Sequence, residues 1–200
     1  MKPNILLDAL PDAVKVDGRA FFVDADFRNF IRFEQTMKDT EMDNAKKVLL
    51  TLERFYGENI PHDVAGAFHA ILWLYQLGED VETKKKRVVK NGDVELRPKM
   101  IYDFDFDAPY IFSAFLTQYG VDLNEIPFLH WWKFHAMFQG LGEDIKICQI
   151  MSYRATDLGK IKDQKERSRI AKLKRIYALP QNLTYEEKVA QAGAAFGGFM

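Results

Sequence analysis

From Phe27 to Tyr177 the apolar residues recur at three- and four-residue intervals, in stretches that stop at glycine or proline. This period is the strongest constraint on what the chain can fold into, because it puts one greasy stripe on each of a series of helices. Phe27, Phe30, Ile31, Phe33 and Met37 share a face that excludes Arg28, Arg32 and Glu34. A second helix is expected from Asp43 to Tyr56, with Val48, Leu49, Leu52, Phe55 and Tyr56 inward and Gly57 as its stop. Pro61 suits the opening turn of a third, in which Val64, Phe68, Ile71, Leu72, Tyr75 and Leu77 face inward up to Gly78. The N-terminal region departs from this period. Ala13–Val16 and Ala20–Val23 flank Asp17-Gly18, the dipeptide of a tight turn, and predict a small β-hairpin over residues 13–23.

Composition supports a folded protein. Apolar residues make up 48% of the 200 and aromatic residues 14%, far from the profile of a disordered chain. That length accommodates one domain or two small ones; a single helical domain over 1–180 is the simpler expectation, followed by a short terminal helix and flexible tail over 181–200. Lys and Arg total 28 against 29 Asp and Glu, so a net charge of -1 offers no global field for nucleic acid or an anionic membrane. The one cysteine, Cys148, excludes an internal disulfide and fits a reducing compartment as a small buried hydrophobe. No apolar run approaches the ~18 residues of a membrane helix, and the N-terminal residues are too short for a signal-peptide core, so the expected location is intracellular.

The segment 79–99 is a charged insertion in which Glu79, Asp80 and Glu82 give way to Lys84, Lys85, Lys86 and Arg87. A solvated loop is its plain reading, but Asn91-Gly92 between two short β-prone runs also predicts a mid-chain hairpin arm able to add a strand to a partner. Asp103, Asp105 and Asp107 alternate like calcium ligands, yet the sixth and twelfth positions are Ala108 and Ala114, so the necessary glycine and bidentate glutamate are missing. Asp105 or Asp107 is instead expected to cap the next helix, with Pro109 in its first turn.

After Pro127 the stretch from Phe128 to Phe138 is apolar nearly all round and reads as a helix buried on more than one face. Core packing is favoured, but Trp131, Trp132, Lys133 and Phe134 are also candidate partner contacts, since large aromatics concentrate at binding hot spots. A helix from Asp144 to Tyr153 follows. Between Lys160 and Arg175 eight cations face two carboxylates; Ile170, Leu173, Ile176 and Tyr177 supply the seam, and Lys172 and Arg175 lie on a basic face. A solvated face is favoured there over nucleic acid, because stacking aromatics are almost absent. His130 and His135 are five residues apart, the wrong spacing for a helical zinc pair, and neither a nucleophile elbow nor a phosphate-binding loop is present. No catalytic residue, metal site or cofactor is therefore expected, and enzyme is the disfavoured class. The expected fold is mainly α, about seven helices with the N-terminal hairpin and the mid-chain arm.

Four blocks occur in a characteristic order: Tyr-Asp-Phe-Asp-Phe-Asp-Ala-Pro-Tyr-Ile from Tyr102, Phe-Leu-Thr-Gln-Tyr-Gly-Val-Asp-Leu from Phe115, Leu-His-Trp-Trp-Lys-Phe-His from Leu129, and Tyr-Arg-Ala-Thr-Asp-Leu-Gly-Lys-Ile-Lys-Asp from Tyr153. Together they resemble the gene-product-fifteen family of long-tailed bacteriophages and prophages of Gram-positive hosts. The resemblance implies a tail-morphogenesis protein in the bacterial cytoplasm, a chaperone-like factor that keeps the tape-measure protein soluble while tail-tube subunits gather. Its candidate contacts are the Trp131–Phe134 block, the arm residues Lys84, Lys85 and Arg87, and the basic residues Lys172 and Arg175. The alternatives are a terminator- or connector-like tail component that forms a homo-oligomeric ring and, behind it, a nucleic-acid-binding module.

Overall fold

A computed structural model describes residues 2–79 and 101–180. The residues of the expected mid-chain arm, Lys84, Lys85 and Arg87 included, and of the expected terminal helix and tail lie outside the described residues. Among the described residues the fold is mainly helical with one small antiparallel hairpin. Contacts divide the chain into two compact units: among the described residues, one holds 2–79 and 126–139, the other 101–125 and 140–180.

In the first unit, β1 (Ala13–Val16) pairs with β2 (Arg19–Phe22) in the register Val14↔Phe21 and Val16↔Arg19. Asp17 and Gly18 both take positive φ, 48° and 76°, as a two-residue turn of matching twist requires. Val14 and Val16 point inward, and Ala13 and Lys15 point out. Three helices follow: α1 (Phe27–Lys38), α2 (Asn44–Tyr56) and α3 (Val64–Tyr75). Each starts from an aspartate whose carboxylate accepts an otherwise orphaned amide: Asp26 from Arg28, Asp43 from Lys46, Asp63 from Gly66. The Asp63 cap explains why α3 begins three residues later than Pro61 suggests. At Gly66 a Cβ would stand 2.1 Å from the Asp63 carboxylate, so the cap needs glycine there.

The fourth helix of this unit, α5 (Trp131–Gln139), comes from a distant part of the chain. Its aromatic side chains complete the core, with Trp131 stacked on Phe30 at 5.2 Å and on Tyr75 at 5.8 Å, and Phe134 stacked on Phe27 at 4.7 Å. Tyr56 is buried against the same layer. Its hydroxyl donates to the Ala67 carbonyl at 2.9 Å, and desolvation pushes its pKa up to about 12.

The second unit contains α4 (Ala108–Tyr119), α6 (Lys146–Ala155), a short 3-10 turn (Leu158–Lys160) and α7 (Gln164–Ile176), with α6 packed against both α4 and α7. Gly120 ends α4 in the left-handed region. Asp163 caps α7, so the basic segment from Lys160 begins as a turn and becomes helical only at Gln164. No helix of the described residues is long and apolar enough to cross a membrane.

Candidate functional site

The aromatic block differs from the expected continuous helix over Phe128–Phe138. Helix α5 begins only at Trp131, because Pro127–His130 is held extended against the start of α1. The Phe27 amide donates to Leu129 O at 2.9 Å, the Trp131 amide to Ala25 O at 2.9 Å, and the Leu129 amide to the Asp26 carboxylate at 3.0 Å. These bonds satisfy the backbone better at this point than a helical turn would. Asp26 thereby serves two elements, capping α1 through Arg28 N and receiving the incoming strand.

The two tryptophans that follow are helix-terminating side chains. The Trp131 indole donates to Tyr75 O at 3.0 Å and the Trp132 indole to Leu74 O at 2.8 Å, a carbonyl that also accepts the Leu77 amide at 3.1 Å, so both indoles are bonded to the last turn of α3. Gly78, at φ 77°, passes so close that a Cβ there would lie 2.9 Å from the Trp132 ring. Trp131, Trp132 and Phe134 are therefore buried within the first unit, and of the candidate contacts in this block only Lys133 is exposed. Phe128 is the aromatic residue of the segment left in solvent.

His130 ties the block to the N-terminal region. Its Nδ1 accepts the Trp132 amide at 3.1 Å, so the ring hydrogen sits on Nε2 and is donated to the Pro11 carbonyl at 3.1 Å. Burial holds its pKa below the usual imidazole value and Lys133 acts in the same direction, while the Pro11 carbonyl and Asp12 oppose. The neutral ring is the one that fits.

In the second unit the alternating aspartates are neither a calcium loop nor a side-chain cap. Asp107 occupies the N-cap position of α4 but makes no capping bond. Its wholly buried carboxylate is gripped by Arg154, with Nη1 to Oδ2 at 2.6 Å and Nη2 to Oδ1 at 2.9 Å. Arg154 also donates to Tyr177 O at 2.6 Å and to Ile101 O at 3.0 Å, so its planar fork joins α4, α6, the end of α7 and the segment before α4. Asp107 accepts the Asp103 amide as well, and Asp103 in turn accepts the amides of Asp105 and Phe106. The sequence contained a clue to this pair. Arg154 follows Ile147 and Ile150 on the inward face of α6, where an isolated cation demands a buried carboxylate.

Helix α7 buries little besides Ile170. Arg169 pairs with Glu166 at 2.8 Å, Lys174 turns back to the Thr156 carbonyl, and Arg167 reaches Gln164. Lys165, Lys172 and Arg175 are exposed and make no ion pair among the described residues. The nearby Tyr177 is buried, with Lys146 over its ring at 4.9 Å, and so is not presented on that face. Cys148 is half-buried; desolvation and the nearby Asp144 and Glu143 raise its thiol pKa. Among the described residues no group of three or more His, Cys, Asp or Glu side chains gathers to hold a metal.

Sequence reasoning misplaced several solvent-facing apolar residues of the first unit: it set Leu49 and Val64 inward, yet they are 52% and 49% exposed because they fall off the buried stripes of α2 and α3, and it passed over Leu6, Leu7 and Phe22. Asn4 and Asp8 close a small turn, the Asn4 side chain accepting the Leu6 amide at 2.9 Å and the Asp8 carboxylate accepting the Asn4 amide at 2.7 Å. The turn holds Leu6 and Leu7 outward at 87% and 83% exposure. Phe22 and Phe128 are exposed too, and both border the segment 11–13: Phe22 pairs with Ala13, and Phe128 lies edge-on to the His130 ring that binds Pro11.

The model of the family described as Bacteriophage Gp15 protein matches residues 6–179. The chain belongs to that family. No curated protein and no solved structure matches it. The matched span includes the Asp26–Leu129 junction, the indole bonds to α3 and the Asp107–Arg154 pair, and Phe115 and Leu123 of the remaining block are buried, so all four blocks that carry the resemblance supply interior residues of this Gp15-family fold.

Proposed function

We propose that this Gp15-family protein is a non-catalytic tail-morphogenesis factor that binds the tape-measure protein in the cytoplasm of the bacterial host and hands it to tail-tube subunits. Family membership supplies the phage setting. The observation that carries the binding role is the closed Asn4–Asp8 turn, which holds Leu6 and Leu7 almost fully in water although burying them in the protein's own core would be favourable. Phe22 and Phe128 extend the apolar surface of the same unit. A long helical client presents apolar stripes that such side chains cover, with affinity modest enough for tube subunits to compete. The client contacts in this reading are Leu6, Leu7, Phe22 and Phe128, in place of the buried Trp131, Trp132 and Phe134.

Co-expression with the tape-measure protein of the same phage, followed by affinity pull-down, tests it. Soluble tape measure that co-purifies with the native chain, and is lost with a Leu6→Ser/Leu7→Ser/Phe128→Ser variant of unchanged melting temperature, is the expected result. Tape measure that precipitates whether or not this protein is present would remove the chaperone reading. Recovery of the protein in purified virions would favour a structural tail component instead.

A further inference from the structure

The second unit is electrically two-faced. Its ten cations and ten carboxylates balance over 101–125 and 140–180, but they are segregated. Apart from Lys146 and the buried Arg154, every cation lies between Lys160 and Arg175. On α7, Lys165, Arg169, Lys172 and Ile176 follow one another at i, i+4, i+7 and i+11, which places them on one face, with Arg175 at its edge. That face ends in Ile176, an isoleucine left 46% exposed.

The acidic counterpart is built at the C-terminal end of α4. Gln118 clamps the loop after α5, its amide donating to Gly140 O at 3.0 Å and its oxygen accepting the Gly142 amide at 2.9 Å. The clamp brings Glu143 and Asp144 to the same end as Asp122 and Glu125, and none of these four makes an ion pair among the described residues. Leu116, on the last turn of α4, is 46% exposed there. Each charged surface thus carries one large apolar side chain in solvent, and among the described residues Lys165, Lys172 and Arg175 on the one and Asp122, Glu125, Glu143 and Asp144 on the other make no ion pair.

We propose that copies of this chain associate head to tail, the Lys165–Lys172–Arg175 face of α7 in one copy docking on the Asp122–Glu125 and Glu143–Asp144 end of α4 in the next. A second copy is favoured over a nucleic acid because α7 itself carries no aromatic side chain, the neighbouring Tyr153 being half-buried and engaged with Arg169, and the acidic end of the same unit would repel phosphate. A symmetric dimer through α7 is disfavoured, since it would set cation against cation. The contact is therefore heterologous, the kind that closes into a ring or runs on as a filament. It is independent of the client proposed above.

Sedimentation velocity of the full chain over a concentration series tests this, first at low ionic strength and then at about 1 M salt, where the screening length falls to about 3 Å. Concentration-dependent assemblies at low salt that dissolve at high salt are expected. The variants Lys165→Glu/Lys172→Glu/Arg175→Glu and Glu125→Lys/Glu143→Lys/Asp144→Lys should each be monomeric with unchanged circular dichroism. Mixed in equal amounts they should assemble again, because a charge-exchanged contact (acidic α7 on a basic end) then alternates with the native one (basic α7 on an acidic end). A wild-type chain that stays monomeric at low salt overturns the proposal, as does failure of the mixture to assemble. So does a duplex DNA probe that binds α7 of the monomer and is released by the α7 variant alone.

Discussion

At the residue scale the protein depends on polar side chains placed where the helical pattern predicts apolar ones. Arg154 and Asp107 are the clearest case. Both are withdrawn from water, so each is tolerable only because the other is there. Arg154→Ala is expected to cost about 3–5 kcal/mol of unfolding free energy, the range for leaving one buried charge unpaired. The double replacement Asp107→Leu/Arg154→Met should recover most of that loss; urea titration of the three proteins checks both statements. His130 adds a pH dependence. Its folded pKa lies below the unfolded value of about 6.5, so below that pH the unfolded chain binds the proton more readily and stability declines as pH falls. Melting temperature measured from pH 7.5 down to 5 should therefore drop. His130→Asn, which keeps an acceptor for the Trp132 amide but cannot titrate, should start lower and lose this part of the slope. Spacing marks Arg154 as inward but names none of these partners, because each pairing joins residues far apart in sequence: 47 positions for Asp107 and Arg154, 119 for His130 and Pro11.

At the scale of elements, the local signals were legible and their long-range purposes were not. The hairpin around Asp17-Gly18 and helices α1 to α4 could be read from period and glycine stops, since these depend on neighbours within a few residues, whereas their caps could not. The start of α5 was misread because Pro127–His130 is drawn out of helix by backbone bonds to Ala25 and Phe27 about a hundred residues earlier. The role of the Trp-Trp pair was hidden for the same reason. Spacing shows an apolar dipeptide, while the structure shows two indoles ending α3. This separates stability from binding in an experiment. Trp131→Ala should cost about 3–5 kcal/mol, as truncation of a buried aromatic does. Leu6→Ser and Leu7→Ser should stay within about 0.5 kcal/mol of the native chain, because their side chains leave the core untouched. Paired denaturation curves decide it. A Trp131→Ala protein of native stability would mean that α5 does not hold the first unit together.

At the scale of the whole molecule, the chain passes between the two units three times. The backbone builds the first unit to residue 79, enters the second at 101–125, returns to place 126–139 in the first, and goes back at 140. The first unit therefore lacks its central aromatic layer until α5 has arrived. Trp131 stacks on Phe30 and Tyr75, Phe134 stacks on Phe27, and both indoles occupy the end of α3. A fragment of residues 1–100 contains the hairpin and three helices with good local signals, and local propensity alone would let it fold. Packing says otherwise, because most of a helix's stability in a protein comes from burial of its apolar face against partners. Without α5 the fragment exposes Phe27, Phe30 and Tyr75 together and leaves the Tyr75 carbonyl without its indole donor. It should show helical far-ultraviolet circular dichroism but no cooperative thermal transition. Appending residues 126–139 through a flexible linker should restore one sharp transition, since every contact named here is then available within one unit. A cooperative transition in the bare 1–100 fragment would show that the aromatic block is an addition to a core already complete without it.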